Sequence, residues 1–149
     1  MQIIPGWHPL LVHFAVALSI TGCTALLISR LLRGRGAQRC AVLGTLSLSL
    51  GAVFCLLALA SGIAAVWDAS FDVPTRAAVS RHVLWAFFTS LGVLLLAVWR
   101  TAGHVPEEPP SDFMLMVAAA VALAVAVTGW LGGENVFRFG IGVLRASGA

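Results

Sequence analysis

Histidines are the residues of this chain whose chemistry is most informative. His8 and His13 stand in the stretch His-Pro-Leu-Leu-Val-His-Phe, where a long apolar run begins, and His82 opens another apolar run. Imidazole titrates near neutral pH and is a ligand for haem iron, copper and zinc. An ionisable side chain inside an apolar segment is costly unless it has a partner, so these positions are candidate functional sites.

The composition is that of a membrane protein. Of the 149 residues, 60% are hydrophobic and 10% are charged, whereas soluble domains carry about 25% charged residues. We therefore expect a lipid bilayer around the chain. All nine basic residues are arginine, and a formal net charge of +3 is too small to indicate a nucleic-acid surface. The three cysteines lie far apart in apolar runs and predict neither a disulfide framework nor a zinc knuckle.

Four long apolar segments predict four helices, because a lone spanning segment must satisfy its own backbone hydrogen bonds. The predicted spans cover about 10–31, 40–67, 80–100 and 112–131. Short Gly-, Pro- and Arg-rich connections predict one domain over residues 1–149, an all-α integral membrane protein built as an up-and-down four-helix bundle. A short glycine-rich C-terminal segment, 132–149, is expected on its outer face.

Charge predicts the orientation of the bundle. The connection after the first span carries Arg30, Arg33, Arg35 and Arg39 and no acidic residue. By the positive-inside rule this connection is cytoplasmic, which places both termini in the periplasm. No basic residue precedes the first apolar run and no A-x-A site follows it, so a retained helix is expected there instead of a cleaved signal peptide.

Two histidines on different helices predict a haem site. The first and third helices of such a bundle start at the same face and lie diagonally. His13, roughly 6 Å inside the first helix, and His82 are then expected to face each other, as the axial histidines of membrane b-type cytochromes do. We predict haem b between them, with Arg76 and Arg81 at the rim to pair with its propionates.

Other interpretations of the histidines stay open. A histidine near a membrane interface also serves as an anchor or an interhelical hydrogen-bonding group, which suits His8, just outside the first helix, and His104 in a Gly/Pro-rich loop. His13, His82 and His8 together could begin a copper or zinc site, although a closed zinc site needs four ligands. His8 and His13 lie about 140° apart around a helix and are not expected to share a face.

The glycine-rich segment at 132–143 is the second candidate element. Its sequence is Gly-Gly-Glu-Asn-Val-Phe-Arg-Phe-Gly-Ile-Gly-Val. We expect a lid over the histidines, where Glu134 would pair with Arg76 or Arg81 or accept a proton from an imidazole. The alternative is a segment that lies on the lipid headgroups, with its phenylalanines as anchors.

These motifs resemble those of a family of predicted bacterial membrane proteins catalogued as a domain of unknown function. Its members open with H-P-x-x-V-H-F-P, have four spans with a histidine early in the third, and close with G-G-x-x-V-Y-x-x-G-x-G-V. The matches here are at 8–14, 82 and 132–143. The chain departs from the family pattern at three positions: Ala15, Phe137 and Phe139 replace a proline, a tyrosine and a frequent histidine. A metal site that uses this tail histidine in relatives would lack it here.

The resemblance implies a role in redox chemistry in the membrane, because some longer proteins contain a similar domain next to a c-type cytochrome or Rieske-type module. We predict a haem-binding electron-transfer subunit of the bacterial inner membrane, near the periplasmic face. It would exchange electrons with a quinol, a periplasmic cytochrome or a larger membrane redox complex. The alternative is a non-catalytic membrane subunit that docks onto such a complex without a cofactor. The sequence offers no other redox group, so we expect a relay or a subunit instead of a complete enzyme. It contains no nucleotide-binding or hydrolase motif that would favour those functions.

Overall fold

Four long α-helices form the framework of the protein. The computed structural model describes residues 6–67, 69–102 and 105–142. In chain order the helices are α1 (His8–Leu31), α2 (Gly34–Val66), α3 (Val73–Thr101) and α4 (Asp112–Phe137). Each is long and apolar enough to cross a membrane, and the described ranges contain no strand. The prediction of an all-α protein with four membrane-spanning helices is confirmed.

Proline lies in the first turn of the two helices that carry the histidines. In α3, Pro74 follows the capping residue Asp72, whose carboxylate accepts a hydrogen bond of 3.2 Å from the backbone N–H of Thr75. In α1, Pro9 is the second residue of the helix. The helix therefore begins at His8 itself, which was expected just outside it.

Two helices extend beyond their predicted limits at glycines. Gly34, with a φ of +58°, opens α2, so the arginines that follow it lie in the first turns of the helix. Such a left-handed backbone favours glycine. At the other limit, α4 continues to Phe137, so Gly132 and Gly133, expected in a lid, are helical. The predicted segment beyond residue 142 lies outside the described residues.

Each helix packs against the next one in the chain, and α4 returns to α1. Arg30 near the end of α1 forms a 3.0 Å ion pair with Asp112 at the start of α4. The rings of Trp99, near the end of α3, and Phe113, at the start of α4, lie 5.7 Å apart between centroids. Contacts of this kind join the end of one helix to the start of its neighbour, so these neighbours run antiparallel.

Glycines let α1 and α2 approach closely. A Cβ atom added to Gly22 would lie 2.8 Å from the backbone nitrogen of Leu48, and one added to Gly51 would lie 2.9 Å from Oγ of Ser19. Lipid is as apolar as leucine, so helices in a membrane associate through close packing instead of hydrophobic burial. The largest buried apolar side chains of the core that these helices share with α3 and α4 are Leu26, Leu48, Val93, Leu96 and Met114.

Gly22→Ala is expected to destabilise the bundle, because the new methyl group meets backbone that cannot rotate away. We expect a loss of about 1–3 kcal/mol in the free energy of unfolding, measured by denaturant unfolding in detergent micelles. Gly92→Ala is the matched control, since its Cβ would lie at an ordinary 3.5 Å from Val121. Equal losses in the two variants would contradict the close α1–α2 contact.

Candidate functional site

His8 lies in the first turn of α1 and contacts α2. Its Nδ1 is 3.0 Å from the carbonyl oxygen of Ala58 and 3.1 Å from Oγ of Ser61. A carbonyl oxygen can only accept, so Nδ1 carries the proton and donates it. The Ser61 hydroxyl donates to the same carbonyl at 3.0 Å, which leaves its oxygen able to accept from His8. The Nε2 atom of the neutral ring therefore keeps a lone pair that can bind a metal.

Gly62 makes room for the ring of His8. A Cβ atom at this position would lie 2.8 Å from Cε1 of the ring and 3.2 Å from Nδ1. Because Gly62 follows Ala58 by four residues, it lies one helical turn beyond the carbonyl that the ring binds. Any larger residue here would push the imidazole away from that carbonyl.

His82 of α3 is seated against α4 beside a glycine. Its ring approaches the backbone carbonyl of Thr128, and a Cβ atom on Gly132 would lie 3.1 Å from its Cε1. Gly132 follows Thr128 by four residues, as Gly62 follows its partner carbonyl in α2. The Nδ1 atom of His82 is buried and makes no hydrogen bond of good geometry. His82 therefore lacks the Nδ1 hydrogen bond that orients the ring of His8.

The two seated histidines share one end of the bundle. His8 lies at the start of α1 and His82 in the third turn of α3, and they are close enough to interact electrostatically. Each hairpin thus has a histidine on its first helix whose ring lies against a glycine on its second helix. The site offers two imidazoles from opposite hairpins.

Small hydroxyl groups line the bundle interior between this site and the middle of the bundle. The Oγ1 atoms of Thr89 and Thr128 are 2.8 Å apart, and the Thr128 hydroxyl also donates to the carbonyl of Ala124. Deeper, the fully buried Ser19 lies 3.7 Å from Sγ of Cys55. These groups satisfy one another or the backbone, so they provide a polar lining without requiring a ligand.

His13 does not join the seated pair. Its side chain is exposed, and its Nδ1 lies against the carbonyl of Pro9 one turn earlier. The prediction that His8 and His13 occupy different faces of α1 agrees with this placement, but the inward residue is His8 and not His13. The reason is the contact stripe on α1, in which Ala15 and Gly22 follow His8 at intervals of seven residues. That spacing of seven residues is visible in the sequence and could have identified His8 as the histidine that faces α2.

The predicted rim residues lie on the surface. Arg76 is exposed, lines a groove between α2 and α3, and has its Nη2 3.5 Å from the carbonyl of Phe71. Arg81 is also exposed. Glu134, expected to pair with one of these or with a histidine, forms a 3.0 Å ion pair with Arg138 on its own helix. His104 lies outside the described residues.

Metal-ligating side chains are sparse in the part of the chain that the structure describes. No group of three His, Cys, Asp or Glu side chains is close enough there to hold a metal ion. Two seated imidazoles are nevertheless the number that a bis-histidine haem takes from its protein.

Arg100, at the other end of the bundle, is a polar anchor that the sequence analysis did not single out. Its side chain is 0% exposed. Its Nε donates to the hydroxyl of Thr45 at 3.1 Å, and its Nη2 donates to the carbonyls of Pro106 and Glu108 at 2.8 and 2.6 Å. The guanidinium therefore fastens the α3–α4 loop to α2. Its position at the end of an apolar run, shortly before a Pro-rich loop, could have identified this arginine as a hydrogen-bond donor to the loop.

Gly62→Ala is expected to displace the His8 ring, because the methyl group takes the place of Cε1. Replacing glycine by alanine inside a helix otherwise stabilises by about 1 kcal/mol. Gly129→Ala, whose Cβ would have no atom within 4 Å, should therefore gain stability while Gly62→Ala gains less or loses. Thermal unfolding in micelles measures this difference. The double variant His8→Ala/Gly62→Ala should recover the gain, and equal gains in the two single variants would contradict the seating of His8.

Arg100→Met is expected to loosen the α3–α4 loop, because two loop carbonyls lose their donors. Hydrogen bonds to a charged group contribute about 1.5–3 kcal/mol, so cleavage after Glu107 by a glutamate-specific protease should accelerate about tenfold or more. The exposed Arg81→Met serves as the control and should leave the cleavage rate unchanged. An unchanged rate in Arg100→Met would show that the loop does not depend on this side chain.

Comparison with known proteins assigns the chain to a family. The model of the family described as "Predicted membrane protein (DUF2231)" matches residues 5–145. Neither a curated protein nor a solved structure matches the chain. The match spans all four helices and includes His8 and His82. The four apolar helices make the protein a multi-pass membrane protein. The chain belongs to the DUF2231 family of predicted membrane proteins.

Proposed function

We propose that this protein is a membrane electron-transfer subunit that holds a b-type haem with His8 and His82 as axial ligands. The observation that carries the proposal is the hydrogen bond from Nδ1 of His8 to the carbonyl of Ala58, which leaves Nε2 free for iron beside a second seated imidazole. This proposal keeps His82 as a ligand and moves the α1 ligand from His13 to His8. The site would face the periplasm from the bacterial inner membrane.

Haem ligation would place two demands on the residues around the two imidazoles. A haem, when bound, supplies one-electron exchange. The protein must fix the orientation of each ring and raise the basicity of its ligating nitrogen, which a backbone carbonyl on the other ring nitrogen does. Ala58 has this role for His8, and Thr128 is the neighbouring carbonyl for His82. In both hairpins the adjacent glycine lets the ring reach the carbonyl.

Charge at the rim would orient the haem. Arg81 directly precedes His82 and is exposed, which suits an ion pair with a propionate. Arg76, predicted for the same role, lines the α2–α3 groove and is therefore the less suitable partner. The electron partners that fit a site near one membrane face are a quinol, a periplasmic cytochrome or a larger redox complex.

Optical spectra of ligand variants test the proposal. The protein, expressed with ample haem and purified in detergent, should show a Soret shift and an α-band in the reduced-minus-oxidised spectrum. His8→Ala and His82→Ala should each lose the sharp α-band of a low-spin haem, because one of the two iron ligands is removed. His13→Ala should keep this band, since that exposed side chain on the same helix is the matched control. Absence of the bands in the unmodified protein, or their loss in His13→Ala with retention in His8→Ala, would contradict the assignment.

A second candidate function is that of a cofactor-free subunit that docks onto a larger membrane complex. An exposed aromatic surface at the end of α4 favours it: Trp130 is 70% exposed and Phe137 is 92% exposed. Both line an open groove of about 490 Å³ together with Glu134 and Arg138. Exposed aromatic residues of this kind are frequent in interfaces.

Gentle extraction distinguishes the two candidates. A docking subunit should co-purify with a partner complex, lack visible absorption bands, and lose the partner on Phe137→Glu. The electron-transfer subunit should retain its bands in Phe137→Glu, because that residue lies beyond the histidine seats.

A further inference from the structure

We infer that the groove between the end of α2 and the start of α3 binds one anionic phospholipid, with the phosphate on Arg76 and an acyl chain along the groove. This inference is independent of the proposed haem site. The groove has a volume of about 540 Å³ and opens to the outside of the bundle. Its apolar walls include Ile63, Leu84 and Phe87, which are themselves partly exposed.

The length of the groove fits an acyl chain. Lining residues on α3 run from Arg76 to Phe87, which corresponds to about 16 Å along a helix. The hydrocarbon core of a bilayer is about 30 Å thick, so the groove extends through about one leaflet. An occupant therefore begins at the membrane interface and ends near the middle of the bilayer, as one lipid tail does.

Charge at the mouth of the groove selects the headgroup. Arg76 is the only ionisable side chain among the lining residues, and no carboxylate within the described ranges forms an ion pair with it. Its one hydrogen bond, to the carbonyl of Phe71, is long at 3.5 Å, so the remaining guanidinium donors are available to a phosphate. The Ser80 hydroxyl lines the groove on the same face of α3, one turn deeper. A net negative headgroup complements this mouth, whereas the ammonium of a zwitterionic lipid would be repelled by Arg76.

The mouth of the groove lies at the level expected for lipid headgroups. Trp67, directly after α2, is 79% exposed, and tryptophan is enriched where membranes meet water. Arg76 lies on the neighbouring helix at the same end of the bundle, in the first turn of α3. A phosphate on its guanidinium would therefore lie in the headgroup layer.

Native mass spectrometry of the detergent-purified protein tests the site with phosphatidylglycerol as the probe. We expect one phosphatidylglycerol to bind about tenfold more weakly to Arg76→Gln than to the unmodified protein, because a charge-assisted contact is lost. Arg76→Lys keeps the charge and should retain most of the binding. Arg81→Gln removes an equally exposed charge outside the groove and should bind as the unmodified protein does. Ile63→Trp, which fills the groove without changing charge, should also lose the lipid.

Several results would overturn the inference. Equal weakening in Arg76→Gln and Arg81→Gln would show attraction by general surface charge. Unchanged binding in Ile63→Trp would show that no acyl chain enters the groove. Equal binding of phosphatidylethanolamine would remove the selectivity for anionic lipid. Full competition by glycerol phosphate at a concentration equal to that of the lipid would show a site for soluble phosphate instead of a lipid.

Discussion

The close approach of α1 and α2 is the constraint on which the rest of the structure depends. A Cβ atom on Gly44 would lie 3.0 Å from the carbonyl oxygen of Gly22, and one on Gly22 would meet the backbone of Leu48. In lipid, where apolar side chains gain little by leaving their surroundings, such backbone contact is a main source of helix association. The contact also fixes the register of the two helices.

That register determines which histidine of α1 contacts α2. Gly22 of α1 faces Leu48 of α2, and His8 faces Gly62. The two contacts are separated by the same number of residues on each helix, as expected for antiparallel helices in one register. His8 therefore reaches a helix surface that lacks a side chain, where its Nδ1 finds a carbonyl. The ring of His82 lies against Gly132 of α4, as that of His8 lies against Gly62 of α2. Both histidines lie toward one end of the bundle, while Arg100 at the opposite end holds the connecting loop.

Much of the fold could be predicted from hydropathy and helix-start chemistry, because the bilayer thickness sets the length of each span and proline favours the first turn. The predicted third span began at about residue 80, whereas α3 begins at Val73, where Asp72 caps the helix and Pro74 lies in its first turn. The end of α4 could not be predicted in this way. Gly132 and Gly133 look like a helix break, yet Gly132 stays helical and accommodates the ring of His82. Only the packing of a partner helix explains such a glycine.

In the candidate site, too, some features follow from the local sequence and others depend on how the helices pack. Helical geometry alone separates the faces of His8 and His13, but it does not say which face meets a neighbour. Small residues that recur on α1 mark the face that packs against a neighbour. They can be recognised as a contact face only once α2 is placed against them. Arg100 is a similar case, since its partners are backbone carbonyls of a loop whose path no local pattern predicts.

Solid-state NMR of the ¹⁵N-histidine-labelled protein in lipid bilayers tests the central claim, the seating of His8, most directly. In the haem-free protein we predict a neutral His8 ring with its proton on Nδ1 and a bare Nε2, assigned by the loss of that signal in His8→Gln. The Gly62→Ala variant should shift the same signal, because the ring leaves the carbonyl of Ala58. A His8 ring protonated on Nε2, or one that is unaffected by Gly62→Ala, would contradict the account.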